Sequence, residues 1–322
     1  MGTLYVDRRG IALDLEPGRL VLREAGGKGR AVPLNLIDRV VVRGAATLDT
    51  ALLGALAERG IGLACLSARY SRRVALLLGP GHADARRRLG QYRLCSDPAL
   101  CLAVARGLVD GKLAAQRRLL ATALDARPDA RKPLGDGLAR LDALVARIAT
   151  ADSLDVLRGF EGAAAAAHFG ALTVLFAPTL GFTGRKRRPP PDPVNASLSL
   201  GYTLLHLDAV RAAHGAGLDP LLGCLHDPAY GRESLACDLI EPLRPHLDGW
   251  VWGLFRDRVL RPEHFSASGD AVLLGKAGRQ AFYGCFEVWA RAPRRWLRRQ
   301  CFALARQCVA LAPALAAVEV EP

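Results

Sequence analysis

The period of the apolar residues changes near residue 80, and this change limits the chain to two layers of unlike structure. Before it, the short segments TLYVD (3–7), IALDL (11–15), RLVLRE (19–24), AVPLN (31–35) and DRVVV (38–42) are separated by Arg-Arg-Gly, Pro-Gly and Gly-Gly-Lys-Gly. Such runs broken by turn formers read as β-strands. One helical stripe, apolar at 48, 52, 53 and 56 between Thr47 and Arg59, is expected to interrupt the strands before GLACL (62–66) and VALLL (74–78) finish the sheet. Gly79-Pro80-Gly81 is a natural boundary. Beyond it, Leu100–Leu124, Leu138–Ile148, Leu154–Phe176, Val194–His214 and Ala271–Ala290 carry apolar stripes of helical length. The expected fold class is α+β, with a small β-rich domain over residues 1–80 and a larger, mainly α-helical domain over residues 81–322.

With 322 residues and 51% hydrophobic content, each part can bury its own core. Lys and Arg number 44 against 31 Asp and Glu, a formal charge of +13. That balance suits a polyanionic partner, nucleic acid foremost, although an Arg-rich composition also serves plain solubility. The eight cysteines form no C-x-x-C pair, so neither a zinc site nor a disulfide framework is indicated. No signal-like apolar run opens the chain and no stretch of 18 uncharged apolar residues suggests a membrane span. A reducing, cytoplasmic setting without a membrane is the expectation.

The chemistry concentrates in GLDPLLGCLHDPAYGRESLACDLIEPLRP, residues 217–245, where polar residues of metal-binding type stand in an apolar segment. Ser234 after the Gly231 turn is a plausible N-cap, which puts Asp238 and Glu241 on one face of the following helix. Like charges at that spacing repel unless a cation lies between them, and His226 from the preceding loop could add an imidazole. Oxygen ligands with one nitrogen suit Mg²⁺ or Mn²⁺. The competing reading makes His226 a helix cap and pairs Asp238 and Glu241 with Arg232 or Arg244. Glu161, in RGFEGAAAAAHFGAL, is a candidate further acid or an ordinary first-turn glutamate. The run from Ala163 to Ala167 suggests a tight helix contact.

The run from Gly217 to Pro245, Glu161-Gly162-Ala163-Ala164 with His168-Phe169, and Asp192-Pro193-Val194-Asn195-Ala196 followed by Leu198 and Gly201-Tyr202 resemble the CRISPR-associated adaptation integrases, the Cas one family. The resemblance extends across nearly the whole chain. It implies an N-terminal β-domain that mediates homodimerisation and a helical domain that holds the active site. By this resemblance the catalytic set is Glu161, His226, Asp238 and Glu241. The metal ligands fall on Glu161, His226 and Asp238, with Mg²⁺ or Mn²⁺ as cofactor. Asn195 is expected to join helix and loop near the site. Arg88, Gln91, Tyr92, Lys112 and Gln116 resemble polar positions turned toward the site or the DNA, and His168 stands where many relatives carry tyrosine.

The implied reaction is transesterification, in which the 3′-hydroxyl of a captured double-stranded fragment attacks a phosphodiester of the repeat array. The partners implied are DNA and a small CRISPR-associated protein of the Cas two type. Two cationic surfaces are candidates for DNA backbone contact: Arg185, Lys186, Arg187 and Arg188, which precede three prolines, and Arg294, Arg295, Arg298 and Arg299 beside Trp296, after Arg291 and Pro293. A metal nuclease acting on branched DNA in repair, or a DNA-binding scaffold with an inactive site, would share many of these features.

Overall fold

The structure, a computed structural model, describes residues 2–312 except 25, 26, 28, 70, 72, 187 and 188. Strands β1 (Gly2–Val6), β2 (Ile11–Glu16), β3 (Arg19–Arg23), β4 (Arg30–Pro33), β5 (Ile37–Arg43), β6 (Ala46–Leu48), β7 (Gly62–Leu66) and β8 (Arg73–Leu77) fill the N-terminal part around one helix, α1 (Thr50–Glu58). They form two sheets rather than one. In the order β1-β5-β7-β8 the first three strands are parallel and β8 is antiparallel to β7. The second sheet runs β4-β3-β2-β6, with β6 parallel to β2. Helix α1 starts later than its apolar stripe, because Ala46–Leu48 pairs with β2 and Asp49 then caps the helix by accepting from the Leu52 N–H at 2.7 Å.

Alternation along β5 puts consecutive valines into different cores. Val40 and Val42 pack with Leu13, Leu20, Leu52 and Leu56 between the two sheets. Val41, with Ala64 and Leu66 of β7, faces the opposite way and joins the core of the helical part.

The helical part comprises α2 (Arg86–Ser96), α3 (Pro98–Ala126), α4 (Arg131–Ile148), α5 (Leu154–Leu172), α6 (Pro193–Gly215), α7 (Ser234–Ile240), α8 (Arg244–Arg256), α9 (Lys276–Trp289) and α10 (Arg291–Leu311). Caps set several starts. Asp97 accepts from Ala99 and Leu100 ahead of α3, and Asp192 accepts from Asn195 ahead of α6, each followed by proline at the first helical position. Helix α4 runs through Pro133 and Gly135, past the point where the apolar stripe alone begins it. Its Gly137 meets α5 closely: a Cβ there would lie 2.7 Å from the Ala171 Cβ. This contact uses Ala164, Ala167 and Ala171, whereas Ala163 and Ala166 are exposed, so only one side of the alanine run is a helix contact. The single helix expected over Ala271–Ala290 is instead a hairpin strand and a helix. β10 (Ala271–Leu274) pairs with β9 (Phe265–Ser268) across Gly269-Asp270, Gly269 taking φ +61°, and α9 follows Gly275. No helix among the described residues is long and apolar enough to cross a membrane.

The two parts meet through buried charge. Asp208 of α6 accepts from Arg39 of β5 and from Arg294 of α10 at 2.9 Å. Arg294 also grips both carboxylate oxygens of Glu287 of α9 at 2.7 and 2.8 Å, and Glu287 accepts from the Tyr5 hydroxyl of β1 at 2.8 Å. The Tyr5 ring stacks on Tyr283 at 4.2 Å between centroids. Arg294 is therefore a structural cation and not one of the DNA-facing arginines, while Arg295, Arg298 and Arg299 are exposed. Replacing Arg294 by Ala is expected to cost about 3 kcal/mol, because the buried Asp208 charge loses one of the two guanidinium groups that donate to it. Arg298→Ala is expected to leave the unfolding midpoint in urea unchanged. Equal midpoints for the two variants would refute this role for Arg294.

Candidate active site

Asp238, in the last turn of α7, is 1% exposed and organises the loop between α6 and α7. Its Oδ2 accepts the N–H groups of Cys224 at 2.6 Å and Leu225 at 2.9 Å. Its Oδ1 accepts the His226 N–H at 3.0 Å and faces the His226 Nδ1 at 2.7 Å. A carboxylate has about four acceptor positions, and the loop fills all of them. The approach needs glycine at 223, where a Cβ would stand 2.7 Å from both Asp238 Oδ2 and the Ser234 carbonyl carbon. Asp238 as placed spends these acceptor positions on the loop. It fixes the imidazole through Nδ1, and Nε2 makes no hydrogen bond to the described residues.

The loop is held from both sides. Gln91 of α2 is buried, donates to the Asp219 and Leu222 carbonyls and accepts from the Asp219 N–H. Glu233 pairs with Arg73 of β8 and with His206 of α6. Ser234 does not cap α7 as expected. It is the first helical residue, and its hydroxyl donates to the Asp227 carbonyl at 2.9 Å.

Glu241 lies just beyond α7, opening a 3-10 turn over Glu241–Leu243, so Asp238 and Glu241 do not share one continuous helix. Glu161 is in the middle of α5, not in its first turn. The ammonium of Lys112 on α3 bridges the two glutamates, touching Glu161 Oε1 and Glu241 Oε2. Arg244, at the start of α8, sits 2.7 Å from Glu241 Oε1, as the ion-pair reading of this segment expected. Burial by itself raises the Glu241 carboxyl. Arg244 and Lys112, with His226 adding its charge, overcome it and hold the pKa at about 2.

A second layer backs this group. Arg244 lies over the Tyr202 ring at 4.8 Å and Arg185 lies 5.3 Å from the same ring. The Tyr202 hydroxyl donates to Asp248, whose other oxygen is 3.0 Å from His168 Nε2. His168 is fully buried, so it meets this inner network and not a DNA surface. Asn195 joins α6 to the preceding loop as expected, donating to the Gly184 carbonyl and accepting from Lys186 N–H and Arg185. Arg185 is accordingly bound into this layer, Lys186 is exposed, and Arg187 and Arg188 lie outside the described residues. Tyr92 is half exposed on α2, away from the Gln91 clamp.

Among the described residues no three His, Cys, Asp or Glu side chains are grouped closely enough to hold a metal as they stand, and the Lys112 ammonium lies between the acids. Two carboxylates converging on one cation beside an oriented imidazole are nevertheless a donor set that fits Mg²⁺ or Mn²⁺, with Lys112 standing in for the cation.

Residues 4–288 match the profile of the family described as CRISPR associated protein Cas1. The chain belongs to the Cas1 family. It is 35% identical over 299 residues to a CRISPR-associated endonuclease Cas1 of Thermodesulfovibrio yellowstonii, an alignment covering 91% of this chain and 93% of that one. The Cas1 fold extends over 96% of this chain and 97% of a Cas1 protein from Thermotoga maritima, with a TM-score of 0.84 at 20% identity. A casposase bound to integration product has a similar fold, with a TM-score of 0.81 at 20% identity over 95% of this chain and 91% of that one.

Because Glu241 is held at about 2, well below its ordinary 4.5, its ionised form stabilises the fold above that ordinary value. The contribution, on the order of 3 kcal/mol, should be lost as pH falls from about 4.5 through about 2. Urea midpoints measured across this range should fall more steeply for the parent than for Glu241→Gln. Parallel curves would contradict the buried Glu241–Lys112–Arg244 cluster.

Proposed function

We propose that this Cas1-family chain is a CRISPR adaptation integrase, a metal-dependent DNA endonuclease and strand transferase that joins the 3′-hydroxyl of captured DNA to the repeat array. The observation that carries the proposal is the convergence of Glu161 and Glu241 on one cationic nitrogen beside an imidazole whose orientation Asp238 fixes. Family membership and a fold shared with a casposase bound to integration product support it.

Glu161, Glu241 and His226 Nε2 would hold Mg²⁺ or Mn²⁺, a set that differs from the expected one by exchanging Asp238 for Glu241. When bound, the ion polarises the phosphoryl oxygen and offsets charge that develops there. Asp238 keeps the proton on His226 Nδ1 and so turns a lone pair outward from Nε2. Arg244 keeps Glu241 ionised. Lys112, no longer needed between the acids, leaves a second positive charge close to where a phosphate would lie.

Strand transfer forms one P–O bond and breaks another, with the proton of the attacking hydroxyl passing to solvent and the leaving oxygen gaining one. It needs no external energy source, in keeping with the lack of a phosphate-cradling Gly-x-x-x-x-Gly-Lys-Ser/Thr loop. Residues 81–322 form the catalytic unit and residues 1–80 the homodimer contact, where the open edges of β4 and β8 invite cover. A small partner of the Cas two type would join two dimers. Arg295, Arg298 and Arg299, with Lys186, are exposed and would make sequence-independent contacts with DNA phosphates.

The test separates strand transfer from hydrolysis. Protein, small partner and Mn²⁺ should join a labelled duplex to a supercoiled repeat-bearing plasmid, and a fragment ending in a 3′-dideoxynucleotide should bind without joining. His226→Ala and Glu161→Gln should fold and transfer no label. If label is never transferred and plasmid nicking is the same with the dideoxy fragment, water is the nucleophile, and a repair nuclease is the better reading.

A further inference from the structure

Gln116 of α3 is 1% exposed, and its Oε1 has no hydrogen-bond partner among the described residues. It stands one turn after Lys112, on the buried stripe of α3 that also holds Val109, Leu113 and Leu120. A buried acceptor gives up its bond to water on folding, which is unfavourable unless another state of the protein fills it. Lys112 is its near neighbour. Residues four apart on a helix have Cβ atoms about 5–6 Å apart. Helical side chains lean toward the N-terminus, which lays the Gln116 amide over the turn that carries Lys112.

We propose that Gln116 is a positioning residue that receives the Lys112 ammonium when a divalent ion takes its place between Glu161 and Glu241. The inference deepens the metal reading of this site and rests on it. The ammonium touches both carboxylates, where a divalent cation would have to lie. Two cations cannot share that place, because like charges repel strongly where water is scarce.

The Lys112 side chain is 8% exposed, so the displaced ammonium needs an acceptor inside the protein. Nearby acceptors are engaged. The Asp238 oxygens hold the loop, the Asp248 oxygens meet Tyr202 and His168, and Glu241 Oε1 faces Arg244. Gln116 Oε1 lies on the same face of the same helix without a partner. Rotation within the four-carbon stem of Lys112 carries its nitrogen toward that oxygen while the helix stays in place. The neutral amide holds the ammonium and adds no charge to the site. One cation is thus exchanged for another with no buried charge left unpaired, and the Gln116 oxygen is satisfied only in the loaded state. Gln116 thereby favours metal binding.

The two states respond to substitution with opposite signs. Gln116→Leu removes an unpaired acceptor from the metal-free protein, yet it removes the seat for Lys112 from the loaded one. Mn²⁺ affinity by electron paramagnetic resonance and metal-free urea midpoints are measured on the full-length protein, on Gln116→Leu, on Lys112→Met and on the double variant. Gln116→Leu should bind Mn²⁺ roughly tenfold or more weakly, the worth of a hydrogen bond to a charged group, with a metal-free midpoint equal to or above that of the parent. Lys112→Met should bind more tightly than the parent, having no ammonium to displace, and adding Gln116→Leu to it should leave that affinity unchanged. A crystal structure with Mn²⁺ should place Lys112 Nζ within about 3.2 Å of Gln116 Oε1, a check that needs no variant to fold. Parent-like affinity in Gln116→Leu, an equal loss in the Lys112→Met background, a lowered metal-free midpoint, or a loaded structure with Nζ elsewhere would overturn the proposal. A parent that binds no Mn²⁺ would overturn the metal reading and this proposal with it, whereas a parent that binds Mn²⁺ with Gln116 indifferent overturns this proposal alone.

Discussion

The Asp238 carboxylate is the point on which the candidate site depends. Four hydrogen bonds from three consecutive loop residues end on it, in a position 1% exposed to water. A buried carboxylate is costly unless each lone pair is satisfied, and once satisfied it admits few other conformations. The loop between α6 and α7 carries many polar groups and would otherwise sample many conformations. Asp238 makes it a rigid platform, and Gly223 and Gln91 supply the close approach and the clamp that the platform needs.

The remaining site residues come from elsewhere and are brought in by packing. Lys112 and Glu161 are on helices whose apolar faces meet in the large core, and Glu241 is set by the turn after α7 against Gly111. Opposite charge then assembles the group: two acids and two cations, Glu241 and Lys112 buried and Glu161 and Arg244 partly so, neutralise one another where any one alone would be expensive. The same logic holds the β-sheets against the helices through Asp208, Arg39, Arg294, Glu287 and Tyr5. The cationic character of the chain is thus partly spent inside, and the arginines left at the surface are fewer than the sequence suggests.

The strands and long helices are legible in the sequence because alternation and helical stripes are local signals, and the two-part α+β organisation follows from them. The division into two sheets is not, since Val40, Val41 and Val42 read alike although alternate ones enter different cores. Ala271–Ala290 misleads for a related reason: AVLL suits a strand or a helix, and the Ser-Gly-Asp turn before it decides between them. Within the site, His226 and the acids stand out as polar residues in apolar surroundings. Their division of labour is hidden, because whether Asp238 accepts from the backbone or serves a ligand depends on how residues 223–226 fold back. Lys112, which the resemblance already turns toward the site, also stands out from the residues themselves, since Val109, Lys112, Leu113, Gln116 and Leu120 form one buried stripe in which a charge is out of place; its bridge between Glu161 and Glu241 is not legible. Arg294 could not, because only the position of α10 against α6 and α9 distinguishes it from Arg295, Arg298 and Arg299.

In the proposed site Glu161, Glu241 and His226 would hold the divalent ion while Asp238 positions the imidazole. Mn²⁺ binding followed by electron paramagnetic resonance, with nitrogen coupling read by electron spin echo modulation, tests it most directly and needs no DNA. A directly bound imidazole nitrogen is expected in the parent, with its disappearance in His226→Ala and loss of the site in Glu241→Gln. In Asp238→Asn binding should weaken by about 10- to 100-fold with the nitrogen coupling retained. Unchanged Mn²⁺ affinity in Glu241→Gln, together with complete loss in Asp238→Asn, would contradict it and restore Asp238 as the ligand.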